Sequence, residues 1–385
     1  MTTAYKFRIY PKQAEQDKLD LSLEVCRQTY NHLLSALDER FTKNELQNYL
    51  LDLKVAYPEM NEIHSKVLQM ENQRLFANLS GLSAYKKKGH KVGRLRFKGK
   101  NWFKTFTYNQ SGFELTHFKA KKGNLWLSKI GDIPIKLHRQ VDGKIKSITI
   151  KKSLNKWYAS IVTDAVIKRV CGEGEIGIDV GIENYIYDSN GVVYENPKHF
   201  DNYHQELKTA QQSLSRKKKR SNSRRKAGFR VAKIYEKIAN ARDDFIHKLS
   251  TKLIRENKFI AIEKLNIKNL IGISYNAKNI ADASWGRLAM YLHYKAVSAN
   301  CVIQDVDPAY TTRDCNFCGH RNRKLFLWQR QFCCEKCGKE LNRDYNSAIN
   351  ILARGKELAS MEKAPYTEPF VQQGVSMKSE AITST

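Results

Sequence analysis

The chain has 385 residues, of which 41% are hydrophobic and 10% aromatic, which excludes a wholly disordered polymer and predicts about two to four folded domains. Lys and Arg outnumber Asp and Glu by 67 to 39, and the net charge of +28 indicates a polyanionic partner, for which nucleic acid is the natural candidate. No stretch of the sequence reaches the roughly 20 apolar residues that span a bilayer, and residues 1–10 lack a signal-peptide core, so we expect a cytoplasmic protein with no membrane partner.

The first part of the chain is predicted to combine β-structure with helices. Residues 4–10 alternate as a strand that ends at Pro11, and residues 13–85 repeat apolar side chains at helical spacing, with Pro58 separating helices. Residues 95–163 contain short β-rich runs separated by Gly, Asp and Asn, which is typical of a small barrel or sandwich.

The second part has an α/β pattern. Strands are predicted at 176–179, 259–263 and 301–306, with a hairpin around Asn190-Gly191. An amphipathic helix follows a long basic stretch, a second helix is predicted to be capped by Ser284, and a last helix opens at Asp344-Tyr-Asn346 and ends near Leu358. The order strand, hairpin, helix, strand, helix, strand, helix predicts a mixed sheet covered by helices.

Three acids fall at the points of this pattern where a metal-dependent nuclease needs them. Asp179 and Glu263 each close a predicted strand, and Asp344 starts the last helix. Parallel neighbouring strands would bring the first two to one edge of the sheet. Three carboxylates at short range raise one another's pKa unless a cation neutralises them, and carboxylate oxygens prefer Mg²⁺ or Mn²⁺ to zinc. The pattern predicts a two-metal site for phosphodiester cleavage. The alternative is that each acid merely ends its strand.

The cysteines predict a separate zinc site. Cys315 and Cys318 form one C-x2-C pair, and Cys334 and Cys337 form another after fifteen intervening residues, which is the spacing of a four-thiolate zinc ribbon. A closed set of four sulfurs indicates a structural ion. Cys333 and the scattered Cys26, Cys171 and Cys301 are assigned to packing, and His320 is a weaker alternative ligand.

A run of cations between residues 214 and 227 predicts contact with phosphates. Its members are Arg216, Lys217, Lys218, Lys219, Arg220, Arg224, Arg225 and Lys226. A nuclear localisation signal is the alternative by composition.

These motifs together resemble the TnpB family of transposon-encoded, RNA-guided nucleases, which are relatives of the type V CRISPR effectors. The resemblance is carried by Gly177-Ile-Asp-Val-Gly181, Ile262-Glu-Lys-Leu265, the two cysteine pairs and Arg343-Asp-Tyr-Asn-Ser-Ala-Ile-Asn-Ile351. Shorter stretches add to it, among them Tyr5-Lys-Phe-Arg-Ile-Tyr-Pro11, Arg96-Phe-Lys98, Ser284-Trp-Gly286 and Val306-Asp-Pro-Ala-Tyr-Thr311. The likeness runs nearly from end to end.

The resemblance implies a multidomain α/β protein with a ribonuclease H-like (RuvC) core at 171–310 and 341–358 and an inserted zinc ribbon at 311–340. It implies an N-terminal β-barrel-like wedge domain at 1–12 and 91–170, with a helical recognition insert at 13–90. The remaining residues, 359–385, are expected to be a disordered tail. The resemblance also implies that Asp179, Glu263 and Asp344 bind two Mg²⁺ or Mn²⁺ ions.

The partners implied by the resemblance are a guide RNA derived from the transposon end and a double-stranded target DNA, bound by a monomeric ribonucleoprotein. Cleavage would take place beside a short transposon-adjacent motif, with base pairing supplying sequence choice.

Two positions depart from the family pattern. The family usually has Asp-Arg-Asp before the last helix, where this chain has Asn342-Arg343-Asp344, and Lys264 replaces an acid after Glu263. Two other functions stay open from the sequence: a guided DNA-binding repressor without cleavage, and a transposase that joins DNA ends with the same three acids. Retention of all three acids favours cleavage.

Overall fold

The computed structural model describes residues 2–38, 42–117, 121–326 and 328–361. The chain divides into two compact units, one ending at Val166 and the other beginning at Ile167. In the described part of the chain, no helix is both long and apolar enough to cross a bilayer.

The N-terminal unit places a helical hairpin region between the first strand and a β-rich region. Its helices are α1 (Gln13–Ser35), α2 (Lys43–Ala56) and α3 (Ser65–Lys87), with single 3-10 turns at Ala36–Asp38 and Pro58–Glu62. Its strands are β1 (Thr3–Ile9), β2 (Thr105–Asn109), β3 (Phe113–His117), β4 (Lys122–Leu127), β5 (Gly131–Lys136), β6 (Ile145–Ser153) and β7 (Lys156–Thr163). The predicted break at Pro58 is confirmed.

The described strands of this unit form one antiparallel sheet in the order β2-β6-β7-β1-β5-β4-β3. Strand β1 is central because Tyr5, Phe7 and Ile9 alternate into the core while its backbone pairs with β7 and β5. Strands β2 and β3 are the edges of this sheet and do not pair with each other, so the hydrogen bonds do not close it into a barrel. The barrel-like wedge therefore stays a prediction.

The C-terminal unit has an α/β architecture. Its strands are β8 (Gly174–Val180), β9 (Asn184–Asp188), β10 (Val193–Glu195), β11 (Asn257–Glu263), β12 (Val302–Val306), β13 (Gln331–Cys333) and β14 (Glu340–Asn342). Its helices are α4 (His199–Asn202), α5 (His204–Ser215), α6 (Asn222–Glu256), α7 (Ile267–Ile273), α8 (Ala277–Ala283), α9 (Trp285–Ala299) and α10 (Arg343–Met361).

The main sheet of this unit is mixed, as the sequence predicts. Among the described residues its order is β10-β9-β8-β11-β12; β8, β11 and β12 run parallel to one another, and β9 runs antiparallel to both of its neighbours, β8 and β10. The buried faces of α6 and α9 cover one side, with Leu249, Leu253, Leu288 and Leu292 packed against Ile176 and Ile260. A ribonuclease H-type α/β core is the fold that this arrangement builds.

Helix α10 lies on β8 and β11 at unusually short distance because glycines face it. A Cβ atom added at Gly177 on β8 would lie 2.2 Å from the carbonyl oxygen of Ala348 and 2.5 Å from the amide nitrogen of Leu352. A Cβ atom added at Gly355 on α10 would lie 2.5 Å from the Cβ of Ala261 on β11. The missing side chains thus let the helix backbone touch the sheet.

Several boundaries differ from the sequence predictions. Helix α6 begins at Asn222, within the basic stretch, because Lys and Arg are good helix formers and the Ser221 hydroxyl accepts the Arg224 amide at 3.1 Å. Ser284 directly precedes α9, but its side chain does not cap the helix. Its backbone has a left-handed conformation, and its hydroxyl donates a hydrogen bond to the Ala281 carbonyl. Helix α10 continues to Met361, and the rest of the predicted tail, 362–385, lies outside the described residues.

Candidate active site and cysteine cluster

The first two candidate acids lie side by side at the end of the parallel strands. Ile178 on β8 is the register partner of Ile262 on β11, so Asp179 and Glu263 follow at the same edge. Neighbouring strands are about 4.8 Å apart, which puts the two side chains within reach of shared ligands. Both are partly buried.

Asp344 reaches the same edge from the first turn of α10. The side-chain oxygen of Asn342 accepts hydrogen bonds from the backbone amides of Asp344 at 2.9 Å and of Tyr345 at 3.1 Å, so Asn342 is the N-cap of this helix. Asparagine and aspartate are equally good at that position. The departure from the Asp-Arg-Asp pattern therefore preserves a structural cap.

Asp179 is electrostatically coupled to the other two acids. Burial raises the pKa of Asp179 well above its usual range, and the charges of Glu263 and Asp344 raise it further. Burial also raises the pKa of Glu263, opposed by a hydrogen bond from Thr311 and by the charge of Arg354. The structure thus brings Asp179, Glu263 and Asp344 to one place, with Asp179 as the member that responds to both others.

The three carboxylates do not converge as tightly as ligands of a single ion. Among the described residues, the four cysteines are the one group of three or more His, Cys, Asp or Glu side chains whose ligand atoms all lie within 4.8 Å of one another.

An open cavity of about 450 Å³ lies in front of Asp179 and Asp344. Two arginines border it: Arg343 Nε lies 3.1 Å from Asp344 Oδ1, and Arg330 Nη2 lies 2.6 Å from Glu183 Oε2. The other amino group of Arg330 lies 4.0 Å from Asp344. The cavity therefore offers both carboxylates for cations and guanidinium groups for phosphate.

Behind Glu263 lies a hydrogen-bonded layer that connects to the segment before the first cysteine. Thr311 Oγ1 donates to Glu263 Oε1 at 2.7 Å. Asn350 on α10 donates to the carbonyls of Thr311 at 2.9 Å and Asp314 at 2.6 Å. Arg354, one turn further, contacts the Asp314 carboxylate at 2.6 Å.

The four predicted zinc ligands come together. Cys315 Sγ lies 3.8 Å from Cys337 Sγ, and Cys318 Sγ lies 3.6 Å from Cys334 Sγ. A tetrahedron with Zn–S bonds of about 2.3 Å has edges of about 3.8 Å, so these spacings fit zinc. Hydrogen bonds donated by the backbone amides of Cys337 and Lys336 lower the pKa of Cys334 to about 6, which favours a thiolate there. The pKa of Cys337 shifts the other way, because the hydrogen bond from the Lys339 amide is outweighed by burial and the neighbouring thiols.

The two knuckles have the same backbone geometry. Gly319 N donates to Cys315 O at 2.9 Å, Gly338 N donates to Cys334 O at 3.0 Å, and both glycines have positive φ, 69° and 67°. The positive φ of these glycines lets the chain close each turn directly after its cysteine pair. One cysteine prediction is wrong: Cys333 is exposed on β13 rather than packed, because Phe332 and not Cys333 points into the ribbon core. Cys171 is only partly buried but packs against the main core of this unit.

The predicted phosphate-binding cations occupy the turn between α5 and α6 and the start of α6. We call residues 216–226 the basic turn. Most of its cations are exposed: Arg216, Lys217, Lys218, Lys219, Arg220, Arg225 and Lys226. Arg224 is different, because it is partly buried and donates to the carbonyls of Leu214 at 2.9 Å and Lys217 at 3.1 Å. Arg224 holds the turn together, and the other cations face solvent.

Sequence reasoning missed the residues that support the acids. Thr311, Asn346, Asn350 and Arg354 act through contacts between the last helix and the segment before the cysteines, and Arg330 reaches the cavity from the strand end of the ribbon. One signal was present: Asn346, Asn350 and Arg354 recur at four-residue steps, which places polar groups on one face of the helix.

Comparison with family models agrees with this architecture. A model described as "Probable transposase" matches residues 161–274, and one described as "Cas12f1-like, TNB domain" matches residues 285–351. A third, described as "Helix-turn-helix domain", matches residues 1–45, where the structure has β1 and α1.

Two curated relatives match over nearly the whole chain. The Escherichia coli (strain K12) protein named "Putative RNA-guided DNA endonuclease InsQ" is 29% identical over 97% of this chain and 98% of its own length. A Streptomyces pristinaespiralis protein named "Putative RNA-guided DNA endonuclease" is 28% identical over 91% of this chain and 89% of its own length. Among solved structures, the Cas12f1 chain of a cryo-EM complex with sgRNA and target DNA aligns over 91% of this chain and 98% of its own, with a TM-score of 0.61 and 15% identity, which shows a shared fold.

Proposed function

We infer, from the membership of this chain in the TnpB family and from the grouping of three acids at one sheet edge, that it is an RNA-guided DNA endonuclease of a transposable element. The observation on which this proposal mainly depends is the electrostatic interaction of Asp179 with Glu263 and Asp344 beside an open cavity. Its proposed reaction is metal-dependent hydrolysis of phosphodiester bonds in DNA that pairs with the guide, next to a short adjacent motif.

The residues at and beside the cavity have distinct proposed roles: Asp179, Asp344 and Arg330 line it, and Glu263 lies next to Asp179 at the same sheet edge. Asp179, Glu263 and Asp344 would together hold two Mg²⁺ or Mn²⁺ ions. Such ions supply an activated water and stabilise the leaving oxygen. Arg330 would then exchange its contact with Glu183 for a phosphate oxygen of the DNA, since a guanidinium group forms strong paired hydrogen bonds with phosphate.

The cysteine cluster is proposed to hold one structural zinc ion through Cys315, Cys318, Cys334 and Cys337. The sulfur spacings and the lowered pKa of Cys334 support it. Because four thiolates close the coordination shell, the ion would stabilise the ribbon and leave no position for substrate.

Nucleic-acid partners account for the charge of the chain. The two curated relatives are named as RNA-guided DNA endonucleases, and the net charge of +28 matches a protein that holds an RNA and an opened duplex. We propose a monomeric ribonucleoprotein in which the N-terminal β-rich and helical regions and the exposed cations of the basic turn contact the backbones of guide RNA and DNA.

The test is cleavage by the purified ribonucleoprotein. The RNA that copurifies is sequenced, and a plasmid matching it is offered with Mg²⁺. Asp179→Asn, Glu263→Gln and Asp344→Asn should each abolish cleavage and leave RNA binding intact. Asp244→Asn is the matched control, because this exposed acid forms an ion pair with exposed Lys248 on the same helix and does not line the cavity.

Full-rate cutting by any of the three site variants would refute the assignment. Guide-dependent binding without cutting by the wild-type protein would instead support a repressor. Strand transfer in the absence of RNA would support a transposase, in keeping with the description of the family model at residues 161–274.

A further inference from the structure

We propose that Thr311 is a positioning residue for the carboxylate of Glu263, and that the folded cysteine ribbon holds Thr311 in place. This inference rests on the proposed function, because it concerns the site where Glu263 would bind a divalent cation. It assigns the ribbon a second role: its first knuckle prepares the cation site in the neighbouring sheet.

The contact between the two side chains is short and shielded. Thr311 is 2% exposed, and its hydroxyl lies 2.7 Å from Glu263 Oε1, nearer than the 3.1 Å to the carbonyl of Pro308. A hydroxyl has one hydrogen to donate, and the charged acceptor at the shorter distance takes it. The terminal torsion of a glutamate is broad, so a fixed donor is what selects one rotation of the carboxylate.

Helix α10 in turn fixes the backbone of Thr311. The side-chain amide of Asn350 donates to the Thr311 carbonyl at 2.9 Å and to the Asp314 carbonyl at 2.6 Å. Asn346, one turn earlier, donates to the same Asp314 carbonyl at 2.8 Å and accepts the Asn316 amide at 3.0 Å. These side chains are nearly or fully buried, so water does not replace their hydrogen bonds.

Charged side chains near the surface also hold the segment that contains Thr311 and Asp314. Arg354 donates to the carbonyl of Ala309 at 2.7 Å and to the carboxylate of Asp314 at 2.6 Å. The other oxygen of Asp314 accepts a hydrogen bond from Arg321 Nε, also at 2.6 Å, just after the first knuckle. Cys315 follows directly, so the segment 307–316 is clamped between α10 and the ribbon.

The clamp makes the position of Thr311 depend on the cysteine cluster. Cys315 lies four residues after Thr311 and one after Asp314, and its sulfur belongs to the four-sulfur cluster. Releasing the knuckle would remove the contact of Asp314 with Arg321 and leave the segment held from the α10 side alone, which would loosen Thr311 and let the carboxylate of Glu263 rotate. The loss expected from removing such a supporting hydrogen bond is about tenfold or more in metal affinity.

The experiment compares Thr311→Val, which removes the hydroxyl at constant shape, with Thr311→Ser, which restores it. Thr209→Val is the matched control, since the hydroxyl of that exposed threonine donates to the carbonyl of Gln205 in its own helix. For each full-length protein with its RNA, Mn²⁺ binding is measured by electron paramagnetic resonance of the free ion, and zinc content by elemental analysis. The half-saturating Mn²⁺ concentration for cleavage is measured in parallel.

We expect Thr311→Val to weaken Mn²⁺ binding and to raise the half-saturating concentration, both about tenfold, with zinc content unchanged. Thr311→Ser should recover to within about twofold of wild type, and Thr209→Val should match wild type. Asn350→Ala, which keeps the hydroxyl but frees the carbonyl of Thr311, should reproduce the defect of Thr311→Val.

Two results would overturn the positioning role: an unchanged Mn²⁺ affinity in Thr311→Val, or failure of Thr311→Ser to recover. Loss of zinc from Thr311→Val would also overturn it, since the residue would then serve the ribbon fold alone. A wild-type protein that neither binds Mn²⁺ nor cuts would overturn the proposed function itself, so the two failures are distinguishable.

Discussion

Replacement of Gly177 by alanine tests whether the contact between α10 and the sheet sets the geometry of the site. The new Cβ would lie 2.2 Å from the Ala348 carbonyl oxygen and 2.5 Å from the Leu352 amide nitrogen, whereas ordinary contacts begin at 3.4 Å. Both obstructing atoms are helix backbone, so the helix must retreat by about 1 Å. Overpacking of this kind costs about 1–3 kcal/mol.

The retreat would move Asp344 away from Asp179 and Glu263, because Asp344 lies in the first turn of the same helix. A displacement of about 1 Å at a catalytic group reduces rates by roughly a hundredfold. We therefore expect Gly177→Ala to lower the melting temperature of the C-terminal unit by about 3–10 °C and the cleavage rate by about a hundredfold.

Gly228→Ala is the matched control for this prediction. Gly228 lies inside α6, and a Cβ there would have Leu214 Cδ1 as its nearest neighbour, at 3.8 Å. The same substitution should stabilise this helix by about 0.5–1 kcal/mol and leave cleavage unchanged. Thermal unfolding by circular dichroism and single-turnover plasmid cleavage measure the two effects. Wild-type melting and wild-type cleavage in Gly177→Ala would refute the reasoning.

Four further predictions follow from single contacts. Asn342→Asp should keep wild-type cleavage and Asn342→Ala should lose about 1 kcal/mol of stability in urea unfolding, because the residue acts as a helix cap; abolished cleavage in Asn342→Asp would contradict this. Burial raises the pKa of Glu71 from 4.5 to about 8, so the N-terminal unit should lose stability as the pH rises through that window, and Glu71→Gln should remove this dependence in urea unfolding at pH 5.5 and 9. Cys318→Ser should lose zinc and have a lower melting temperature, and a strong chelator should have the same effect on the wild-type protein. A ribbon whose melting temperature is unchanged by the chelator would contradict zinc binding. Replacing Lys217, Lys218 and Lys219 together by glutamine should reduce the salt dependence of RNA affinity by about two units of log–log slope, whereas Arg224→Gln should lower stability instead.

The predictions from sequence succeeded where local patterns determine the structure. The C-x2-C spacing fixed the sulfur cluster because each pair fits one tight turn with a left-handed glycine. The α/β order of the elements placed Asp179 and Glu263 at one sheet edge on the condition that their strands are parallel neighbours, and the register of β8 and β11 meets that condition. The same pattern proposed Asp344 as the third acid from its place at the start of the last helix, 81 residues after Glu263, and the family resemblance added the same assignment.

The predictions failed where non-local contacts decide. Ser284 has the residue type of a helix cap, but its left-handed backbone turns the hydroxyl back to the preceding helix α8. Short helices such as α7 and α8 carry too few turns to produce a periodic signal. Arg224 cannot be told from its exposed neighbours in the sequence, because only the folded turn shows which arginine meets the carbonyls of Leu214 and Lys217.

On the proposed function, the docking of α10 would also set the point in synthesis at which activity can begin. A growing chain that has already produced β8, β11 and the cysteine knuckles holds two of the three acids, but neither Asp344 nor the asparagines that clamp Thr311. The strand edge stays incomplete until α10 leaves the ribosome and settles against Gly177. Nascent chains that stop before Arg343 would therefore be harmless to the DNA around them, and catalytic competence would begin only as a nearly full-length product folds.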